Sequence, residues 1–280
     1  MLLGYNTNGF AHHRLEDAIG IVAALGYQSI AITLDHHALN PFDPELPEQL
    51  SAVKELLRSL GLRSVIETGA RFLLDPWRKH QPVLISPDEK GREKRLDFLR
   101  RAVDIAHELN SDAVSFWSGS PTDDASSETL MDRLVNGCQA LCEYVSQRQV
   151  RLAFEPEPGM FIDTMERFGE LQRRLNHPNF GLTIDIGHLH CQGEVPIADH
   201  LRRWAPSLWN IHVEDMRRGV HEHLMFGEGE IDFGPVAQAL RKIGYSGGVH
   251  VELSRHSHDA VGTAGRAIEF LSRVRNLSTR

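Results

Sequence analysis

Short apolar runs alternate along this chain with longer stretches in which apolar residues recur at steps of three and four, the pattern of strand–helix units around a parallel sheet. The runs predict strands at 1–6, 29–34, 63–67, 112–117, 150–156, 180–186, 208–214 and 248–253. Between them the spacing predicts helices. In 92–109, Leu96, Leu99, Val103 and Ala106 share a face, and in 258–275 Val261, Ala264, Ile268 and Leu271 do. Asp163 followed by Glu166 has the spacing of a capping box opening the helix after the fifth strand. Connections from helix to strand are short (GYQS, GLRS, NSD), whereas those from strand to helix are long (DHHALNPFDPEL, MRRGVHEHLMFGEGEID). Long loops of this kind usually carry function, here at the carboxyl ends of the strands.

Eight such units in 280 residues, with no linker, predict one α/β domain over 1–280, a single (β/α)8 TIM barrel. An open doubly wound sheet shares the alternation, but no G-x-G-x-x-G or Walker segment follows an early strand.

Strand side chains alternate between faces, so a barrel strand turns one set to the covering helices and the other to the lumen. In RLAFEPE, Ala153, Glu155 and Glu157 oppose Leu152 and Phe154; in LTIDIGH, Thr183 and Asp185 oppose Ile184 and Ile186. In NIHVED, Asn210, His212 and Glu214 oppose Ile211 and Val213; in VHVELS, His250, Glu252 and Ser254 oppose Val251 and Leu253. Each of the last four strands therefore aims an ionisable group inward near its carboxyl end, and their one Lys or Arg, Arg151, lies at the opposite end of its strand. Buried carboxylates gathered in this way need a cancelling charge, and a divalent cation supplies one. Glu155, Asp185, His212 and Glu252 form an oxygen-rich ligand set with one imidazole, suited to Mn²⁺, Co²⁺, Mg²⁺ or Zn²⁺. The alternative is a hydrated polar layer without metal. Glu157 competes with Glu155, but Pro156 cannot donate to the sheet and marks the strand's end. Glu214 and Asp215 are expected to orient the His212 ring.

Composition excludes other classes. With 41% hydrophobic and 24% charged residues the chain reads as a globular protein, and no apolar run reaches a membrane span. The start MLLGYNTNGF lacks the basic and apolar regions of a secretory signal, which makes a cytoplasmic protein the expectation. Cys138 and Cys142, four apart in a helical pattern, read as small buried hydrophobes. A net charge of −8 argues against nucleic acid and for a small-molecule substrate.

The segments LAFEPEPG, LTIDIGH, NIHVEDM, GEGEIDF and GGVHVEL, in this order and spacing, resemble those of the xylose-isomerase-like TIM barrels, the sugar isomerase and epimerase superfamily that also contains the apurinic endonucleases. The resemblance covers essentially the whole chain and is most specific from 150 to 253. Similarity to its ketose 3-epimerases implies one divalent ion on Glu155, Asp185, His212 and Glu252, proton exchange by Glu155 and Glu252, and substrate contacts from His188 and from Arg217 or Arg218. The chemistry agrees, since removing a proton beside a carbonyl needs a base and a Lewis acid. In a plainer role both glutamates are ligands only and a water is the base.

The H-x-H of GVHEHLMFGEGE is similar to the D-x-H before the same GEG in the endonucleases. That implies a second metal, zinc, on His188, His221 and His223; the histidines for a further zinc are missing from IETGAR and SFWSG. The expected function is thus a metal-dependent isomerase or epimerase of a small sugar, polyol or hydroxy-ketone, acting through an enediolate. The alternatives are a phosphoester hydrolase or lyase with a two-metal site, and a non-catalytic binding protein. Arg71, Trp77 and Trp117 are the expected specificity contacts, and barrels of this kind often pair into homo-oligomers.

Overall fold

The computed structural model describes residues 1–277; residues 278–280, the end of the expected domain, lie outside it. The chain folds into β1 (Leu2–Asn6), β2 (Ser29–Thr33), β3 (Arg63–Glu67), β4 (Val114–Phe116), β5 (Leu152–Phe154), β6 (Phe180–Asp185) and β7 (Leu208–Val213). It continues through β8 (Asp215–Arg217) and β9 (Val220–Leu224) to β10 (Gly248–Val251). All but β8 and β9 are parallel and form a closed barrel in which β10 pairs with both β7 and β1. The eight expected strands are all present and the (β/α)8 barrel is the fold. β5 stops short of the expected 150–156, at Phe154, because the chain leaves the ladder at Glu155 ahead of Pro156.

Helices cover the outside. The helix Glu89–Leu109 begins earlier than expected, at an Asp88 side chain that accepts from the Gly91 amide (2.7 Å), and it buries Leu96, Leu99, Val103 and Ala106 as the periodicity requires. In the last helix, Ala260–Leu277, Ala264 and Leu271 are buried but Val261 is turned to solvent, and Ala260 takes its place inside. The capping box is displaced by one residue. The helix Met165–Leu175 is capped by Thr164, not Asp163, and Glu194 from a later loop accepts from the Met165 amide (3.0 Å). Cys138 and Cys142 are buried and unpaired by disulfide, as expected of packing residues. No helix among the described residues is long and apolar enough to cross a membrane.

The loop expected after β7 is in part structured: β8 and β9 pair as an antiparallel hairpin over the barrel mouth. Below the mouth the lumen is polar. His250, fully buried, lies across it with Nε2 at 2.8 Å from Ser29 Oγ and Nδ1 at 2.8 Å from Asn210 Oδ1. The ring has room because Gly4, across the β1–β10 pair, and Gly248 face it; a Cβ at either would overlap the imidazole. This polar layer is the floor on which the carboxylates stand.

Candidate metal centre

The four expected ligands meet at the carboxyl ends of β5, β6, β7 and β10, where one donor atom from each of Glu155, Asp185, His212 and Glu252 lies within 4.8 Å of the others. Backbone bonds to the preceding strand seat two of them just beyond the ladder: the Glu155 amide donates to Phe116 O (2.8 Å) and the Glu252 amide to Val213 O (3.2 Å). Asp185 ends β6 and caps the short helix Ile186–Cys191, its Oδ1 accepting from the His188 amide at 2.8 Å. That bond fixes the side chain and leaves Oδ2 buried without a hydrogen-bond partner. His212 Nδ1 faces Glu155 Oε1 and Glu252 Oε2, both at 3.0 Å. Asn8, in the loop after β1, donates to the other oxygen of Glu252 (2.8 Å).

The orienting partner of His212 is not Glu214 or Asp215. It is Glu67, the last residue of β3, whose Oε1 lies 2.8 Å from His212 Nε2 across the lumen. One proton arrangement satisfies the network. The Ser29 hydroxyl donates to His250 Nε2, and His250 Nδ1–H donates to Asn210 Oδ1. This turns the Asn210 amide nitrogen toward Glu67 Oε1 (3.1 Å), the same oxygen that accepts from His212 Nε2–H. His212 Nδ1 is then the atom left for an ion, and the carboxylate behind the ring raises its basicity. Asp215 acts on the neighbouring loop instead, where its carboxylate accepts from the amides of Met216, Gly227 and Ile231 and so folds the GEGEID segment. Glu214 is fully buried under Gly187 beside Asp185.

Electrostatics test whether these residues suit a cation. Burial pushes Glu155 up to about 8, a rise that Glu252 and Asp185 reinforce and His212 opposes. Burial also acts to raise Glu252, but His212 outweighs it and holds this carboxyl below its ordinary value. His212 is raised well above the usual imidazole range: burial opposes its charge, and Glu67, Glu155 and Glu252 overcome that opposition. Without a metal, then, protons on His212 and Glu155 balance the remaining carboxylates. A divalent ion provides the same compensation on the same atoms. The residues fit the ion.

His188, His221 and His223 are also brought together, with His188 Nε2 3.1 Å from His221 Nε2 and ring centroids within 5.8 Å. The hairpin explains this, because β9 puts His221 and His223 on one face toward His188 while Glu222, on the other, pairs with Arg255 (3.2 Å). Burial lowers His188 to about 4, with His223 and His221 adding to the effect against the opposing Asp185. The imidazole is therefore neutral and able to ligate.

The centre opens into a cavity of about 300 Å³ walled by Arg71, Trp117, Glu157 and Arg255 among others. Arg71 and Trp117 are where the sequence suggested; Trp77, 89% exposed, is not in the wall. Arg217 and Arg218 do not reach the cavity. Arg217 ends β8 and Arg218 opens the hairpin turn, both exposed; the Arg217 side chain donates to Glu228 O (3.1 Å) and the Arg218 amide to Glu230 Oε2 (3.1 Å). Pairing of β8 with β9 carries the turn away from the barrel axis, which the reading of this segment as a plain loop missed.

Residues 19–274 match the family model described as xylose isomerase-like TIM barrel. The L-ribulose-5-phosphate 3-epimerase UlaE of Shigella flexneri is 25% identical over 263 residues, which cover 91% of this chain and 88% of that protein. Among solved structures, the D-allulose 3-epimerase of Methylomonas sp. superposes with a TM-score of 0.79 at 20% identity, covering 98% of each chain. The protein IOLI, solved with a bound zinc atom, superposes with a TM-score of 0.78 at 18% identity over 99% of each.

Two outcomes are expected. Zn²⁺ added to metal-free protein at pH 7 displaces the protons on Glu155 and His212, releasing about two per ion, and affinity climbs as pH rises toward 8. Calorimetry in buffers of different ionisation enthalpy counts these protons, and a count of zero removes the assignment. Glu67→Ala lowers metal affinity by about 10–100-fold, whereas Glu67→Gln, whose amide oxygen still accepts from His212, loses less. Competition with a chelator reads both.

Proposed function

Because the chain belongs to the xylose isomerase-like TIM barrel family, we propose that it is a sugar epimerase or isomerase that uses a divalent ion held by Glu155, Asp185, His212 and Glu252. The ion is one of Mn²⁺, Co²⁺, Mg²⁺ or Zn²⁺, and the substrate a small sugar, polyol or hydroxy-ketone whose proton is moved beside a carbonyl. Names borne by relatives, L-ribulose-5-phosphate 3-epimerase and D-allulose 3-epimerase, support the substrate class. The zinc on IOLI supports the ion. The family match over 19–274 supports treating 1–280 as one barrel domain.

The observation that carries the reading is the paired carboxylates. Glu155 and Glu252 both face His212 Nδ1, each at 3.0 Å, and come from strands separated by β6 and β7 in the barrel wall. A substrate seated over the centre therefore has one carboxyl on either flank. When bound, the ion acts as a Lewis acid on the substrate oxygens and lowers the cost of the enediolate. The two carboxyls are held differently: His212 and the Asn8 amide keep Glu252 ionised, whereas Glu155 accepts from no amide donor of that kind. Glu252 is therefore assigned as the base, and Glu155, ionised once the ion is bound, as the group that relays a proton drawn from solvent. Glu252 takes the proton from one face of the carbon, and Glu155 returns one to the other face. His188 is assigned a substrate hydroxyl, which its Nε2 would meet in place of its present partner, His221 Nε2 (3.1 Å). Of the arginines, Arg71 and Arg255 replace Arg217 and Arg218 as wall residues.

The imidazole trio favours a second reading, a phosphoester hydrolase or lyase with a further zinc on His188, His221 and His223, since three imidazoles with an open position suit zinc.

A panel of keto-sugars in D₂O tests the first reading. Product gains solvent deuterium at the inverted or isomerised carbon, and Glu252→Gln slows that exchange by at least about 10²–10⁴-fold in a folded barrel. Near wild-type exchange in this variant sinks the assignment of the base. Elemental analysis of fully loaded protein separates the readings. One ion per chain, unchanged in the His221→Ala/His223→Ala double variant, supports the epimerase; two ions falling to one supports the hydrolase.

A further inference from the structure

The loop after β3 holds its backbone in an uncommon shape where it walls the cavity. Ala70 and His80 both lie in the left-handed region, at φ 28° and 66°, and the His80 amide closes the arc between them by donating to Arg71 O (2.6 Å). At Asn110 and Asn176 the fold uses that region to cap helices, with a residue that visits it readily. His80 ends no helix. A Cβ strains this conformation and glycine relieves it, so the position keeps a side chain where the backbone favours none. The imidazole is also idle within the protein. Both nitrogens of His250 and of His212 are bonded, whereas neither nitrogen of His80 has a hydrogen-bond partner among the described residues. The ring is half-buried and lines the cavity.

Its surroundings fix where the ring stands. It packs on Trp117, ring centroids 5.1 Å apart, and Trp117 is held in turn by the Arg95 guanidinium 4.4 Å from its ring centre. Arg95 is 1% exposed and anchored to Thr68 O through Nη2 (3.2 Å). Burial lowers His80 to about 4, and Lys79, Arg95 and Arg71 each add to the effect. The imidazole is therefore uncharged and offers one N–H donor and one lone pair, the complement of a hydroxyl group. Strain that the surrounding structure enforces at a cavity wall points to use of the strained residue. We propose that His80 is a substrate-binding residue, whose imidazole, unbonded within the protein and held at a left-handed backbone position against Trp117, receives a hydroxyl of the sugar. The inference rests on the sugar-epimerase reading and adds to it a specificity contact independent of the metal ligands.

Stability and binding test it separately. His80→Ala and His80→Gly both delete the imidazole, but only alanine stays strained, so the glycine variant is expected to melt about 2–4 °C above the alanine variant. For binding, the keto-sugar panel and the polyols ribitol, arabinitol and xylitol are titrated by calorimetry into Mn²⁺-loaded wild type and variants. The tightest of these ligands is expected to bind about 5–10-fold more weakly to the alanine and glycine variants alike, the loss of one uncharged hydrogen bond. His80→Asn recovers part of that loss, because its amide keeps a donor and an acceptor and tolerates the left-handed backbone. Bound Mn²⁺ per chain stays at the wild-type value in all three. Wild-type ligand affinity in the alanine and glycine variants overturns the contact. So does metal lost together with the ligand, which makes the residue structural, and so does a glycine variant that melts no higher than the alanine variant, which removes the strain. If no member of the panel binds wild-type protein, the sugar reading fails and the contact with it; if a ligand binds every variant equally, the contact alone fails.

Discussion

The arrangement depends on the cost of holding carboxylates out of water. Glu67, Glu155, Asp185 and Glu252 converge on one imidazole, with Glu157 and Glu214 close by, and they cannot all be charged unless something positive is among them. Protons on Glu155 and His212, or a divalent ion, are the two available answers. The rest of the barrel mouth serves that choice. Asn8 and the β7 backbone hold Glu252, the helix cap holds Asp185, and the chain from Ser29 through His250 and Asn210 to Glu67 sets which nitrogen of His212 faces the ligands.

Much of this was legible in the sequence because β-strand geometry repeats every two residues. Apolar runs located the eight barrel strands, and polar residues interrupting them at lumen positions identified Glu155, Asp185, His212 and Glu252. The H-x-H spacing likewise brought His221 and His223 to His188. Glu67 was missed for a physical reason. It ends a strand half a barrel away from His212, and its contact is made across the lumen, so no local pattern announces it. The nearby Glu214 and Asp215 were more conspicuous candidates, but one is packed under Gly187 and the other is committed to loop amides.

The hairpin escaped notice for a related reason. VHEHL in β9 has apolar residues only at its ends and is half-buried from His221 on, so it does not read as a strand, and its pairing depends on the three-residue partner DMR. Folding those residues as a hairpin changed the fate of the arginines, sending Arg217 and Arg218 outward and leaving Arg71 and Arg255 at the wall. Charge in the wall therefore comes from loops far apart in sequence, which spacing alone does not reveal.

The double commitment of Asp185 has a consequence for tolerance to distortion. One oxygen caps the helix Ile186–Cys191 and the other faces the four-residue centre, while the same helix carries His188. Any shift of that helix displaces the aspartate and the histidine together, so their mutual spacing is conserved even when their distance to the opposite wall changes. Errors at this side of the mouth are correlated rather than independent. The centre is thus tied down as two units, Asp185 with His188 in one and Glu252 with Asn8 in the other.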